Sequence, residues 1–180
     1  MEIIVAHCEN RGIGFAGEIP WSLPGDMARF RRLTVGDGNN AVIMGHNTWK
    51  SLPARYRPLP KRDNIVISSG ARGSPQCGCS ERVYVFSNLS DTVNHCETKK
   101  YDKVWVIGGT SIYKQFMCRP DVTTIHVTYI NAASDCDVFF PDIPSAFHLV
   151  HSTETSPSME NGLEYWFKTY VRKQHSSDQI

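Results

Sequence analysis

Apolar positions along the chain gather into eight short runs, at residues 3–7, 41–44, 64–68, 82–86, 103–107, 124–130, 149–154 and 164–171. Within them, 41–44 and 104–107 are apolar throughout, the pattern of strands covered on both faces of a parallel sheet. The runs 124–130 and 164–171 alternate more, which suits half-exposed or antiparallel edge strands. Between the runs, residues 26–34, 47–51, 90–97 and 110–117 have helical character, with Ser90 as the capping residue of the third. Strands alternating with helices predict an α/β sandwich with a largely parallel sheet. Loops rich in Gly, Pro, Arg and Ser fill 53–62 and 70–80, and the second is expected to be exposed.

One polar residue disturbs this pattern. At the helical period Met27, Phe30, Leu33 and Thr34 form one stripe, with Asp26 inside it and Arg31 and Arg32 opposite. A carboxylate on a core-facing stripe is costly to bury unless it is paired or used. The plain reading is an acid satisfying free N–H groups at a helix start. The other is a functional acid, reached through the flexible apolar segment Gly12-Ile13-Gly14 and Ile19-Pro20-Trp21.

Composition narrows the field without choosing between these. A length of 180 residues suits a single domain, 1–180, with a polar tail at 173–180 expected to be disordered. With 19 basic and 18 acidic side chains interspersed, the formal charge of +1 offers no reason to expect nucleic acid or an anionic membrane as partner. Arg29, Arg31 and Arg32, the nearest thing to a basic patch, read as a solvated helix face. No run approaches the roughly 20 apolar residues of a membrane span, and a basic-then-apolar leader is missing, so a cytoplasmic protein is expected. Its six cysteines are scattered, and only His95-Cys96 offers adjacent metal ligands, so free thiols and no metal are expected.

Two strand-to-helix junctions carry candidate chemistry. Residues 104–111 run from a buried strand through Gly108-Gly109 into Thr110-Ser111, and Met44-Gly45-His46-Asn47-Thr48 repeats the plan. Glycine allows close approach of a bound group, and a helix start offers free N–H groups to a pyrophosphate. A tight turn would use the same glycines, and the GxGxxG fingerprint is missing. Ser68-Ser69-Gly70 closes a third strand similarly.

Taken in order, these pieces resemble the dihydrofolate reductase family. The resemblance rests on Ile13-Gly14, Ile19-Pro20-Trp21, Leu23-Pro24, Asp26 with Phe30, and Ala41-Val42-Ile43-Met44-Gly45 with Thr48-Trp49 and Ser51. It continues through Arg57-Pro58-Leu59, Arg62-Asp63-Asn64-Ile65-Val66, Val106-Ile107-Gly108-Gly109 with Ile112-Tyr113, Thr128, and Asp137 with Phe139-Phe140-Pro141. The implied fold is a three-layer sandwich. A central eight-stranded, mostly parallel sheet has an antiparallel C-terminal edge strand and about four flanking helices. The implied activity is NADPH-dependent reduction of 7,8-dihydrofolate, by hydride transfer to C6 with protonation at N5, in a monomer that antifolates inhibit at the pterin site.

The resemblance also implies roles. Asp26 would orient the pterin, supported by Thr128 and by Trp21 through a water network. Ile4, Val5, Phe30, Leu52 and Ile107 would line the substrate pocket, and Arg62 would grip the substrate's α-carboxylate. Read alone, the aliphatic residues would be core and Arg62 a solvent-facing loop residue. Ala6, Ile13 and Gly14 would meet the nicotinamide, beneath a mobile loop at 13–19. Gly108 and Gly109, joined by a cis peptide, would surround the cofactor's pyrophosphate and ribose with Thr110, Ser111, Ile112 and Tyr113. Gly45, His46, Asn47, Thr48, Ser68 and Ser69 would serve the adenosine end.

That end departs from the family pattern. His46, Ser69 and Ser87 stand where basic residues are usual, and histidine is only fractionally charged near neutral pH. Arg72 is the compensating cation expected from the glycine-rich loop. The enzyme alternative is a pyrimidine reductase of riboflavin synthesis, against which Trp21, Asp26, Phe30 and Arg62 argue. A non-catalytic folate or dinucleotide binder would not need Asp26, Thr128 and both glycines.

Overall fold

The computed structural model describes residues 1–70, 76–77 and 81–174. In chain order the elements are β1 (Glu2–His7), β2 (Gly12–Gly14), α1 (Pro24–Val35), β3 (Asn40–Gly45) and α2 (His46–Ser51). A 3-10 turn (Ala54–Tyr56) leads to β4 (Asp63–Ile67), β5 (Gln76–Cys77), β6 (Val83–Phe86), α3 (Leu89–Lys99), β7 (Lys103–Gly108) and α4 (Thr110–Met117). The chain continues with β8 (Thr124–Ile130), β9 (Val138–Phe139), β10 (Phe147–Ser152), β11 (Ser158–Glu160) and β12 (Leu163–Arg172).

All eight runs read from the hydrophobic pattern are strands of one sheet, ordered β10-β12-β8-β1-β7-β3-β4-β6, with short β5 beyond β6 and β11 against β12. β8, β1, β7, β3, β4 and β6 are parallel. The C-terminal strand β12 is antiparallel to both β8 and β10, so the outermost position on that side belongs to β10. Right-handed crossovers decide the layers. The chain steps one way from β1 through α1 to β3 and through α2 to β4, then back through α3 to β7 and α4 to β8. Reversal of direction puts α1 and α2 on one face and α3 and α4 on the other.

Two apolar clusters follow. Ile3, Val5, Ile43, Val106 and Phe116 pack on the α3/α4 face. Ile4, Val42, Met44, Val66 and Trp105 pack on the α1/α2 face. No helix of the described residues is long and apolar enough to cross a membrane.

Several local expectations shift. α1 begins two residues early because Pro24, with no N–H to satisfy, sits in its first turn. Met27 lies at the margin of the stripe and is 55% exposed, whereas Phe30, Leu33 and Thr34 face inward. Arg29 leaves the solvated face: its guanidinium lies 4.3 Å from the centre of the Phe167 ring. α3 is capped by Asn88, which accepts the Asp91 N–H at 2.9 Å, and Ser90 is already helical. Lys173 still donates to the Ala146 carbonyl, and residues 175–180 of the expected tail lie outside the described residues.

Candidate active site

Asp26 is positioned by three elements. It lies in the first turn of α1, above the pair formed by Thr128 on β8 and Phe167 on β12, which are register partners. The Thr128 hydroxyl, 1% exposed, donates to Asp26 Oδ1 at 2.6 Å. Ala6 is the register partner of Thr128 on its other side. Burial pushes the Asp26 carboxyl above its ordinary value; the Thr128 hydrogen bond and the Arg29 charge oppose this, and Glu160 adds to it.

Asp26 does not cap its own helix. The N-cap residue Leu23 has no side-chain bond, and the Gly25 N–H goes to Glu160, whose Oε1 and Oε2 lie at 3.0 and 2.9 Å. The capping role expected of an acid at that end is thus filled from β11, and Asp26 turns toward the sheet. Sequence reasoning passed over Glu160. Its signal was the dipeptide Asn161-Gly162, with φ of 51° and 78°, which closes a two-residue hairpin between Glu160 and Leu163. Asn161 Nδ2 also donates to the Ser22 carbonyl at 2.8 Å, tying this hairpin to the approach to α1.

Arg62 proves to be buried rather than solvent-facing, with 2% exposure. Asn64 shapes the loop that presents it: its side chain accepts the Leu59 N–H and donates to the Leu59 and Arg62 carbonyls. Arg62 Nε donates to the Pro60 carbonyl at 3.1 Å, and Nη1 donates to Thr34 Oγ1. Its guanidinium lies 5.7 Å from the Phe30 ring centre. Burial, then the neighbouring Arg31, pushes it down to about 10. No carboxylate pairs with it among the described residues. A buried cation without an anion is costly, which makes Arg62 a candidate receptor for one.

Beside Arg62, partly buried Phe30, Leu52 and Ile107 pack with Ile4 on the α1/α2 face, so these four are brought together. Strand alternation sends Val5 to the opposite cluster, leaving only its main chain on this side. Trp21 packs with Ala6 around Leu23, Ile130 and Tyr165.

The two glycine junctions meet at the carboxyl ends of adjacent strands. β3 and β7 pair as far as Met44 and Gly108, so Gly45 and Gly109 open α2 and α4 side by side. The Gly108–Gly109 peptide is cis, as the resemblance implied. A Cβ on Gly108, whose φ is +116°, would lie 3.0 Å from the Tyr113 ring. On Gly109 it would lie 3.3 Å from Thr48 Oγ1, and on Gly45 3.1 Å from Ile112 Cγ1. The bare backbone therefore leaves a narrow cradle between two helix starts. The Tyr113 N–H makes the first intrahelical bond, to the Gly109 carbonyl, so the earlier N–H groups of α4 are free donors. This cradle fits a pyrophosphate.

Other members of the set are differently engaged. Tyr113 is 3% exposed and spends its hydroxyl on the Ile4 carbonyl at 2.9 Å, while Ile112 is core. Thr110 Oγ1 donates to the Phe139 carbonyl at 2.5 Å, and Ser111 is exposed. His46, Asn47 and Ser69 are exposed and Ser68 half-buried, beyond the ends of β3 and β4. Arg72 lies outside the described residues. Ile13 and Gly14 lie on β2, which pairs with β9. Beyond them Phe15 and Glu18 exchange both backbone bonds at 2.9 Å around Ala16-Gly17, and the Ala16 N–H is held by Asp137 at 2.9 Å.

The chain is similar to proteins of one family. A family described as dihydrofolate reductase matches residues 1–172. The dihydrofolate reductase of Heliothis virescens is 38% identical over 96% of this chain and 97% of its own length. That of Aedes albopictus is 35% identical over 94% and 96%. A bifunctional dihydrofolate reductase-thymidylate synthase of Arabidopsis thaliana is 36% identical over 99% of this chain but 35% of its own. The chain belongs to the dihydrofolate reductase family, oxidoreductases that use a nicotinamide cofactor.

Proposed function

We propose that this chain reduces 7,8-dihydrofolate to 5,6,7,8-tetrahydrofolate with NADPH, at the carboxyl ends of the central strands between α1 and α4. The observation that carries this reading is the inward-turned Asp26 carboxylate, bonded to buried Thr128 and released from capping its own helix. Asp26 accepts two parallel hydrogen bonds from the aminopyrimidine edge of the pterin, a fork geometry that fixes the ring. Its raised proton affinity keeps a proton near the ring and favours protonation at N5, through a water beside Trp21. Ile4, Phe30, Leu52 and Ile107 cover the pterin and benzoyl groups and exclude water, and antifolates compete for the same surface. Arg62 pairs with the substrate's α-carboxylate.

Bound NADPH supplies the hydride to C6. The N–H groups at the start of α4, with Gly108, Gly109 and Thr48, hold its pyrophosphate. Ala6, Ile13 and Gly14 flank the nicotinamide, and the hairpin at 13–19 closes over it. His46, Asn47, Ser68 and Ser69 meet the adenosine end, with Ile112 and Tyr113 supporting the cradle from beneath. A cytoplasmic monomer is proposed, consistent with unpaired Cys8, Cys96, Cys118 and Cys136.

Replacing Asp26 by Asn tests the assignment. The shape is kept while the charge is lost, so turnover at neutral pH should fall by at least about 10²-fold, with NADPH affinity within about twofold of wild type. Near-normal turnover would refute it.

A further inference from the structure

We propose that Glu160 is a positioning residue for the reductase site. By taking the Gly25 N–H, it keeps the Asp26 carboxylate off its own helix and turned toward Thr128 and the substrate. The inference rests on the function proposed above, and adds a residue that contacts neither substrate nor cofactor.

An acid in the first turn of a helix is drawn to the free N–H groups at that end. Asp26 is in that position and would compete for them. Glu160 removes the competition, because both of its oxygens lie within 3.0 Å of the Gly25 nitrogen. The glycine leaves room for this approach: a Cβ there would lie 2.5 Å from Glu160 Oε1 and 2.7 Å from the Tyr165 hydroxyl, so those side-chain ends would have to shift. Glu160 is itself placed by the hairpin. It precedes the Asn161-Gly162 turn in register with Leu163, and Asn161 is bonded to Ser22. The hairpin therefore grips the chain on the approach to α1 and again inside its first turn.

Glu160 also acts through its charge. The groups bearing on Asp26 are Arg29 on α1, Thr128 on β8, Glu160 on β11 and Tyr165 on β12. Arg29 and the Thr128 hydroxyl favour the carboxylate, and the like charge of Glu160 favours the acid. The acid form keeps a proton beside the substrate as pH rises, so Glu160 should extend the active range upward.

Two variants separate these effects. Glu160→Gln keeps an acceptor for the Gly25 N–H but removes the charge, and Glu160→Ala removes both. Each is measured for the pH dependence of single-turnover hydride transfer, KM for dihydrofolate, NADPH affinity and thermal stability. Glu160→Ala should raise KM for dihydrofolate about three- to tenfold, with NADPH affinity within about twofold. Glu160→Gln should bring KM back to within about twofold of wild type, yet move the apparent pKa of hydride transfer down by about half a unit. Losses in Glu160→Ala confined to melting temperature would overturn the inference, and an unmoved profile in Glu160→Gln would overturn the charge effect. Because Glu160→Gln preserves the cap, a KM for dihydrofolate raised in it beyond about twofold would overturn the positioning role even where Glu160→Ala fails to fold. A wild-type protein without dihydrofolate-dependent NADPH oxidation would overturn the proposed function itself, and this inference with it.

Discussion

Replacing Arg62 by Met should weaken dihydrofolate binding about 10²–10³-fold and leave the protein nearly as stable as before. Arg62 is 2% exposed, and its guanidinium is held down at about 10, below the ordinary arginine value, by burial and then by Arg31. For a base, a lowered value means that the charged form fares worse in the fold than in the unfolded chain. At any pH below about 10 the native state carries that penalty, about 3 kcal/mol. Methionine removes it. The change also loses the hydrogen bonds to the Pro60 carbonyl and the Thr34 hydroxyl, about 1 to 1.5 kcal/mol each. The two nearly cancel, so the melting temperature should move by no more than about 4 °C.

Binding has no such compensation. A desolvated carboxylate left without its arginine costs about 3 to 4 kcal/mol. Because the substrate's glutamate is remote from C6, the loss should appear in KM, with kcat within a few-fold. Steady-state oxidation of NADPH with dihydrofolate, and with a dihydropteroate lacking the glutamate, separates the contributions. Only the first substrate should lose affinity. Equal losses for both substrates, or a change in KM below about threefold, would refute the reasoning. A fall in melting temperature beyond about 6 °C would refute the stability comparison.

Asp26→Asn should stabilise the ligand-free protein while disabling it. A carboxyl with a raised value contributes stability that is present in full below its ordinary value of 3.8 and is lost as pH climbs through the raised one. The variant should therefore melt above wild type at pH 7 to 8, with the gain vanishing near pH 3; a gap that is constant with pH would argue against it. At the adenosine end, His46→Arg should tighten NADPH binding, because arginine brings a permanent charge to the exposed start of α2. Cofactor titrations giving equal affinity in both would dismiss that role for position 46. Lys100 ends α3 in the left-handed region, with φ 54° and ψ 53°. Lys100→Gly should add about 0.5 to 1 kcal/mol in denaturant unfolding, with activity untouched.

Much of the site was legible because the chemistry is local in sequence. Gly108-Gly109 before Thr110 announces a strand feeding a helix start, and Asp26 among apolar neighbours announces an acid out of place. Residues such as Ile4, Phe30, Leu52 and Ile107 are harder, because an apolar residue of a candidate pocket looks like any core residue until its neighbours are known. Val5 and Tyr113 show the same limit from the other side. Strand alternation turned Val5 away, and the Tyr113 hydroxyl was taken by the Ile4 carbonyl, 109 residues distant in sequence.

The sequence by itself determined the eight strands, the helices between them and the two glycine junctions, since periodicity and turn chemistry act over a few residues. Only the tertiary structure decided which charges are buried and with what. Arg62 and Arg29 are both arginines near apolar residues. One is enclosed by a loop that Asn64 folds over it, and the other spreads on Phe167. Glu160 reaches Gly25 across 135 positions; the Asn161-Gly162 turn beside it marks a hairpin but not the partner that hairpin meets. Desolvation and long-range hydrogen bonds depend on the packing of the whole chain, so the electrostatics of Asp26 belong to the fold.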